Sequence, residues 1–158
     1  MVSLDFYKQE DFEGLNYALD EHQQRYTSTV EQALKRLSEI NDPKAYAITV
    51  FENRQPSGFF VLDFGEDKFD LTDNEQSVLL RSLSINPDLQ GKGIGKAAMQ
   101  IADEFVRGNF PDCEEIVLAV NQKNLSAYHI YLKTGYLYDG KSRIGRSGPQ
   151  YLMYKKLY

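Results

Sequence analysis

A glycine-rich segment between a strand-like run and a helix-like run constrains the fold of this chain more than any other feature. Three glycines alternate with other residues from Gly91 to Gly95. The run before them, residues 78–85, is aliphatic, and residues 94–106 place apolar side chains at helical spacing. A second apolar run follows at 116–120. This order predicts a β-α-β unit, in which a helix crosses between two parallel strands.

The flanking segments extend this unit into a larger sheet. Alternating or β-rich runs predict strands at 2–7, 45–51, 59–64, near Tyr136 and at 151–157, and a Gly-rich basic loop at 140–148. Apolar spacing predicts a helix carrying Phe12, Leu15 and Leu19, one at 30–40 that ends before Asn41 and Pro43, and one at 124–133. Ser28 and Glu31 have the spacing of a capping box. We expect an α/β (α+β) fold with a mixed, mostly antiparallel sheet of about seven strands and about four helices.

Composition limits the number of domains and the compartment. With 158 residues, 42% of them apolar, the chain fits a single domain spanning 1–158. The single Cys113 cannot form an internal disulfide, and the first twenty residues are too acidic for a signal peptide. The apolar runs are far shorter than the ~20 residues that span a bilayer. We therefore expect a cytoplasmic protein with no membrane partner.

Charge is distributed unevenly along the chain. The formal net charge is −5, which argues against a nucleic-acid partner, because nucleic-acid binders carry a basic footprint. Residues 1–80 hold seven basic and sixteen acidic side chains, whereas residues 81–158 hold eleven and seven. This asymmetry predicts that the second half handles an anionic ligand.

The glycine-rich segment has the chemistry of a phosphate site. Glycines allow consecutive backbone N–H groups to converge on one anion, and the helix that follows adds unpaired N–H groups and partial positive charge. Lys92 and Lys96 add full charges. A tight turn before an ordinary helix is the simpler alternative. The Walker spacing is not met, and the dinucleotide pattern at Gly93–Ala98 lies too far after its strand.

Two motifs resemble a known enzyme family. Gln90-x-x-Gly93-x-Gly95, after an aliphatic strand, resembles the acetyl-coenzyme A signature of the GNAT superfamily of N-acetyltransferases. The family fold also resembles the predicted order of strands and helices along nearly the whole chain.

The second motif lies further along the chain. Asn124-x-x-Ala127-x-x-x-Tyr131-x-x-x-Gly135-Tyr136 looks like the downstream motif of the same family, in which an Asn begins a helix that carries a Tyr. Asn124 also suits an N-cap. The resemblance implies acetyl-coenzyme A as co-substrate and no metal site. It assigns the co-substrate to the backbone of Leu83, Ser84 and Ile85, to Gln90, Gly91, Lys92, Gly93, Ile94, Gly95 and Lys96, and to Asn124 and Tyr131.

The resemblance also implies a mechanism. Acetyl would pass directly to a primary amine of a small molecule or peptide, with the thioester carbonyl near the N–H of Ser84 or Ile85. Tyr131 would be the general acid that protonates the departing thiolate. Cys113 has no motif partner that suggests a nucleophile, so a covalent enzyme intermediate is not expected.

The general base and the acceptor stay open. Candidate bases are Glu21, His22, Glu75 and a water chain past Ser82 or Ser84. We expect segments 20–27 and 141–150 to shape the acceptor pocket, with Glu21, Tyr26 and Arg81 as candidate substrate-binding residues.

Arg81 could bind a carboxylate on the acceptor, or form an ion pair on the sheet. The opposite hypothesis places acidic side chains, Asp20, Glu21, Asp73 and Glu75, around a polyamine. A noncatalytic acetyl-coenzyme A binding or sensing module is the alternative function. A homodimer is compatible with the sequence, which leaves the oligomeric state open.

Overall fold

Residues 1–40 and 44–158, which the computed structural model describes, form one seven-stranded sheet and five α-helices. The strands are β1 Val2–Phe6, β2 Ala45–Glu52, β3 Gln55–Asp63, β4 Ser77–Ile85, β5 Glu115–Asn121, β6 Leu137–Gly145 and β7 Gly148–Lys156. The helices are α1 Phe12–Leu15, α2 Glu21–Gln24, α3 Val30–Ile40, α4 Ile94–Asn109 and α5 Leu125–Lys133. The predicted mixed sheet of about seven strands is confirmed.

The sheet opens between its two central strands. The strand order is β1-β2-β3-β4-β5-β7-β6, and β4 and β5 form the parallel pair. Their register covers residues 77–79 of β4 and 115–117 of β5. Further along β4, Ser82 adopts a positive φ of 61°, and the register with β3 shifts opposite it. The last residues of β4 therefore present a backbone edge beside a cleft at the carboxyl ends of β4 and β5.

Helices cover both faces of the sheet. Neighbouring side chains of a strand point to opposite faces, so one strand packs against helices on both sides. Phe60 and Leu62 pack into a cluster with α4 residues such as Met99 and Ala102. Phe59 and Val61 pack instead with Leu15 of α1 and with α3. The two faces of the sheet are thus covered by different helices.

The prediction of a loop at 140–148 is wrong, because most of this segment belongs to β6. This strand pairs antiparallel with β7, and Arg146 and Ser147 form the turn between them. β6 lies at the edge of the sheet, and most of its side chains are exposed. It therefore shows no apolar alternation, and charged side chains are common on such edges. Gly140, at φ 98°, lies in an irregular stretch of the register.

The first helices also differ from the prediction. The apolar positions Leu15 and Leu19 are both buried, but Leu15 is the last residue of α1 and Leu19 lies in the segment between α1 and α2. The capping box belongs to Thr29 and Gln32 rather than to Ser28 and Glu31: the Thr29 N–H donates to Gln32 Oε1 at 2.9 Å, and the Gln32 N–H donates to Thr29 Oγ1 at 3.1 Å.

The sequence could not choose between these two overlapping pairs, since both have the spacing of a capping box. Asn41 and Pro43, the predicted end signals of α3, lie outside the described residues. None of the helices in the described ranges is long and apolar enough to cross a membrane.

Candidate active site

The glycine-rich segment forms the N-terminus of the longest helix. Gly91 and Gly93 have positive φ values of 83° and 77°, and Gly93 is the N-cap of α4. The Ala97 N–H donates to the Gly93 carbonyl oxygen at 3.0 Å, so the N–H groups of Ile94, Gly95 and Lys96 precede the first helical hydrogen bond. The loop therefore presents a row of backbone donors.

The charges around this helix end favour an anion. Helices commonly carry Asp or Glu in the first turn, where these side chains interact with the positive end of the dipole. The first turn of α4 has no acidic residue. Lys92 and Lys96 are exposed beside it. Positive side chains at the positive end of a helix dipole are balanced when a bound anion, such as a pyrophosphate, lies between them.

Next to this loop, the end of β4 has backbone groups that pair with no neighbouring strand that the structure describes. The Asn86 N–H donates to the Ser57 carbonyl oxygen at 2.8 Å, on the β3 side. Because the groups of an antiparallel strand alternate in direction, the N–H and C=O of Ile85 point away from β3, into the cleft. This is the edge to which the sequence assigns the pantetheine arm.

Gln23 of α2 occupies that edge. Its side-chain amide donates to the Ile85 carbonyl oxygen at 3.2 Å, and its Oε1 accepts from the Ile85 N–H at 3.3 Å. A primary carboxamide thus makes the donor and acceptor pair that a strand, or the amide of a ligand, would make. Sequence reasoning missed this residue, because no local pattern connects positions 62 residues apart.

Tyr17 is a second residue that the sequence did not single out. Its hydroxyl donates to the Ser84 carbonyl oxygen at 3.2 Å and lies 2.8 Å from Ser84 Oγ. Burial raises the pKa of Tyr17 to about 12, although the hydrogen bond with Ser84 acts in the opposite direction. Tyr17 therefore stays protonated and fixes the end of β4 from the α1 side.

The downstream motif forms α5 as predicted. Asn124 is its N-cap, and its side-chain oxygen accepts from the Ala127 N–H at 3.4 Å. Tyr131 is 7% exposed and belongs to the same buried cluster as Ile85 and Ile94, on the helix that follows the carboxyl end of β5. Burial raises its pKa to about 12. The Tyr131 phenol is consequently neutral at physiological pH and carries a proton that it can donate.

Arg81 forms an ion pair, which is one of the two roles that the sequence predicted for it. Its Nη1 lies 2.8 Å from Asp67 Oδ2 and 3.4 Å from Asp63 Oδ2. Two carboxylates thus neutralise the guanidinium in the middle of β4. The structure thus favours the ion-pair role of Arg81 over the binding of an acceptor carboxylate.

The remaining candidates separate into two regions. Glu21, His22 and Tyr26 lie on or beside α2, near the cleft; Glu21 pairs with Arg25 at 3.3 Å, and the His22 and Tyr26 rings are 5.3 Å apart. Glu75 precedes the first residue of β4, at the other end of a nine-residue strand. At ~3.4 Å per residue, that places it more than ~25 Å from Ile85. Glu75 cannot serve this site as a base.

Cys113 is distant from the cleft as well. It is buried before β5, where its Sγ donates to the Glu115 carbonyl oxygen at 3.5 Å, and burial raises the pKa of its thiol. A protonated, buried thiol is a poor nucleophile. Across residues 1–40 and 44–158, His, Cys, Asp and Glu side chains form no group of three or more that could hold a metal ion.

Comparison with known proteins identifies a family and a relative of this chain. Residues 9–136 match the model of the acetyltransferase (GNAT) family. The chain is 37% identical over 155 residues to the uncharacterized N-acetyltransferase YbbJ of Bacillus subtilis (strain 168), covering 97% of this chain and 96% of that protein.

Solved structures share the fold. The aminoglycoside acetyltransferase AAC(6')-Ib, in complex with coenzyme A and kanamycin, aligns with a TM-score of 0.78 at 20% identity, over 99% of this chain and 95% of that chain. The spermidine N-acetyltransferase of Vibrio cholerae, in complex with coenzyme A and spermine, aligns with a TM-score of 0.71 at 19% identity, again over 99% and 95%. At these identities the likeness concerns the fold alone.

Proposed function

Because the chain belongs to the GNAT acetyltransferase family and is an acyltransferase, we propose that it transfers acetyl from acetyl-coenzyme A to a primary amine by direct attack in a ternary complex. The observation that carries this proposal is a pair of neighbouring features: the donor-rich N-terminus of α4 and the backbone edge of β4 at Ile85, which only the Gln23 side chain occupies among the described residues. A pyrophosphate fits the first, and a pantetheine amide fits the second.

The glycine loop binds the phosphates. The N–H groups of Ile94, Gly95 and Lys96, which precede the first helical hydrogen bond, donate to the anion, and Lys92 and Lys96 add charge. Gly91 and Gly93 carry the positive φ values that this loop needs, and a Cβ at either would meet no atom within 4 Å. Glycine is therefore required there for backbone conformation rather than for space.

The β4 edge orients the thioester. Gln23 makes the two hydrogen bonds that the pantetheine amide would make at Ile85, so the two amides compete for one edge. The Gln23 side chain rotates away when the co-substrate binds. Since the Ser84 N–H belongs to the β3 side of the strand and the Ile85 N–H serves the pantetheine amide, the oxyanion contact expected at one of these two N–H groups stays a prediction.

Tyr131 supplies the proton for the leaving group. Acetyl-coenzyme A brings an activated acyl group, and its departing thiolate needs a proton. The Tyr131 phenol, with its pKa raised to about 12, is fully protonated before reaction. Transfer to a thiol whose pKa is near ~8.5 is uphill, so it depends on alignment within α5. The buried Cys113 lies away from this path, which favours attack by the amine itself.

The family and the curated relative are both acetyltransferases, which disfavours a noncatalytic binding module. The free, buried Cys113 suits a reducing cytoplasm, and we keep that location as part of the proposal. A homodimer stays a prediction.

A test of this function compares two tyrosines of one helix. Tyr131→Phe is expected to lower kcat for thiol release by about a hundredfold or more, with little change in the Kd of acetyl-coenzyme A, because general acids contribute ~10²–10⁴-fold. Tyr128→Phe removes a hydroxyl three residues earlier on α5 and should keep wild-type kcat. Equal rates for wild type and Tyr131→Phe would remove Tyr131 from the mechanism.

A further inference from the structure

A cavity rich in arginine lies beside the proposed active site. It measures about 540 Å³ and opens between α2, the start of α3 and the turn between β6 and β7. Arg25, Arg36 and Arg146 line it, together with Thr27 and Ser147. None of the residues that line this cavity, all of them in the described part of the chain, is acidic. It therefore concentrates positive charge on a protein whose net charge is −5.

Two of these guanidinium groups, those of Arg36 and Arg146, make no ion pair within residues 1–40 and 44–158. Arg25 pairs with Glu21 at 3.3 Å, but both side chains are largely exposed, so this pair is weak. Arg36 and Arg146 are exposed as well, so solvent screens the repulsion between these like charges, and an anion is held by its direct contacts with the guanidinium groups.

Guanidinium groups suit an anion in this cavity, because their fixed N–H groups bind a carboxylate or a phosphate bidentately. Thr27 also lines the cavity, but its Oγ1 is enclosed and has no hydrogen-bond partner among the described residues, so this oxygen does not face a ligand there.

Hydrogen bonds link this cavity to the cleft. Ser147 Oγ donates to the Arg25 carbonyl oxygen at 2.9 Å, and the Asn121 side-chain amide at the end of β5 donates to the Ser147 carbonyl oxygen at 3.0 Å. Arg25 follows Gln23, which binds the end of β4, by two residues. The cavity thus adjoins the carboxyl ends of both central strands, where an amine must approach the thioester.

The acidic side chains of the polyamine hypothesis do not come together at the arginine-lined cavity. Asp20 is used as the N-cap of α2, where its Oδ1 accepts from the Gln23 N–H at 2.8 Å. Asp73 and Glu75 precede β4 and lie at the opposite end of that strand. Glu21 is the one acid of the four near this cavity, and it pairs with Arg25 at 3.3 Å, so a polyamine would meet three arginines and a single carboxylate that is already paired.

We propose that the acceptor carries an oxyanion group, a carboxylate or a phosphate, which Arg25, Arg36 and Arg146 bind in this cavity while its primary amine reaches the thioester. This inference rests on the proposed acetyl transfer and names its substrate class. It distinguishes this chain from proteins of similar fold whose structures hold spermine or kanamycin.

The first test measures anion binding without turnover. Glutarate and inorganic phosphate are titrated into the full chain saturated with coenzyme A, so that the loop of α4 is filled. Arg36→Ala and Arg146→Ala should each weaken binding by about tenfold or more, since charge-assisted hydrogen bonds are lost. Lys35→Ala removes the same charge from the neighbouring position of α3, where Lys35 pairs with Glu39, and should leave binding unchanged. Equal affinity in all variants overturns the proposal.

The second test measures acceptor preference. Thiol release is compared for glutamate, phosphoethanolamine and spermidine, which carry a carboxylate, a phosphate and no anion. The two anionic amines should give the higher kcat/KM, and the better of them identifies the oxyanion; Arg146→Ala should abolish the preference. The highest kcat/KM with spermidine overturns this inference while leaving acetyl transfer intact. Failure to bind acetyl-coenzyme A would instead contradict the proposed function.

Discussion

Gln23 provides a quantitative test of the co-substrate site, because its carboxamide and the pantetheine amide require the same backbone groups. The two hydrogen bonds between Gln23 and Ile85 measure 3.2 and 3.3 Å. Replacing Gln23 by Ala removes the competitor and leaves the Ile85 N–H and C=O unchanged. We expect Gln23→Ala to bind acetyl-coenzyme A more tightly than the wild type does.

The magnitude follows from the cost of breaking this contact. Two hydrogen bonds contribute about 2 kcal/mol net, and ordering a glutamine side chain costs about 1 kcal/mol. The docked side chain is then favoured by about 1 kcal/mol, which corresponds to a population about fivefold higher than that of the undocked side chain. Because the apparent Kd rises as the competent fraction falls, the substitution should lower the Kd by about fivefold.

Titration calorimetry with acetyl-coenzyme A measures this change. Gln24→Ala is the matched control, since Gln24 is on the same helix and its side-chain amide donates to the Leu19 carbonyl oxygen at 2.9 Å, away from β4. Its Kd should equal that of the wild type. An unchanged Kd for Gln23→Ala would refute the competition, because Gln23 would then have no role at the edge. A higher Kd would also refute it, because Gln23 would then contribute to binding acetyl-coenzyme A.

Three further substitutions test the account. Gly93→Ala should lose about 1 kcal/mol of unfolding free energy, because an L-residue is strained at φ 77°, whereas Gly108→Ala in the last turn of α4 should gain less than ~1 kcal/mol; urea titration compares them. Arg81→Ala should leave the acceptor KM unchanged and cost less than ~1 kcal/mol, since Arg81 is 38% exposed; a raised KM would return it to the acceptor site. The unfolding free energy should fall as the pH rises from about 10 to 12, because the pKa of folded Tyr131 is raised to about 12 and unfolded tyrosine ionises near ~10. Tyr131→Phe should remove up to ~1.4 kcal/mol per pH unit of that slope, and an unchanged slope would show that Tyr131 is not desolvated.

Local patterns predicted the elements that carry the co-substrate site. The positive φ values of Gly91 and Gly93, the helix that follows them and the N-cap at Asn124 all depend on short stretches of sequence. In these stretches glycine conformation, apolar spacing and capping chemistry favour the same structure. The fold class could therefore be predicted from the sequence.

Contacts between distant segments could not be predicted in this way. Tyr17 and Ser84 are 67 positions apart, and the cavity lined by Arg25 and Arg146 brings together α2 and a turn more than a hundred positions later. The strand β6 was missed for a different reason: its exposed side chains show no alternation. Arg81 shows the limit of residue type alone, because its role depends on which carboxylates fold next to it.

The central claim is that an amine bearing an oxyanion attacks acetyl-coenzyme A directly. Rapid-quench measurement of thiol release, at enzyme concentrations comparable to acetyl-coenzyme A, tests it in one experiment. The account predicts no thiol without an acceptor and, with an anionic amine such as glutamate or phosphoethanolamine, one thiol for each acetylated amine. A burst of thiol in the absence of any amine would reveal a covalent acetyl-enzyme and contradict the account.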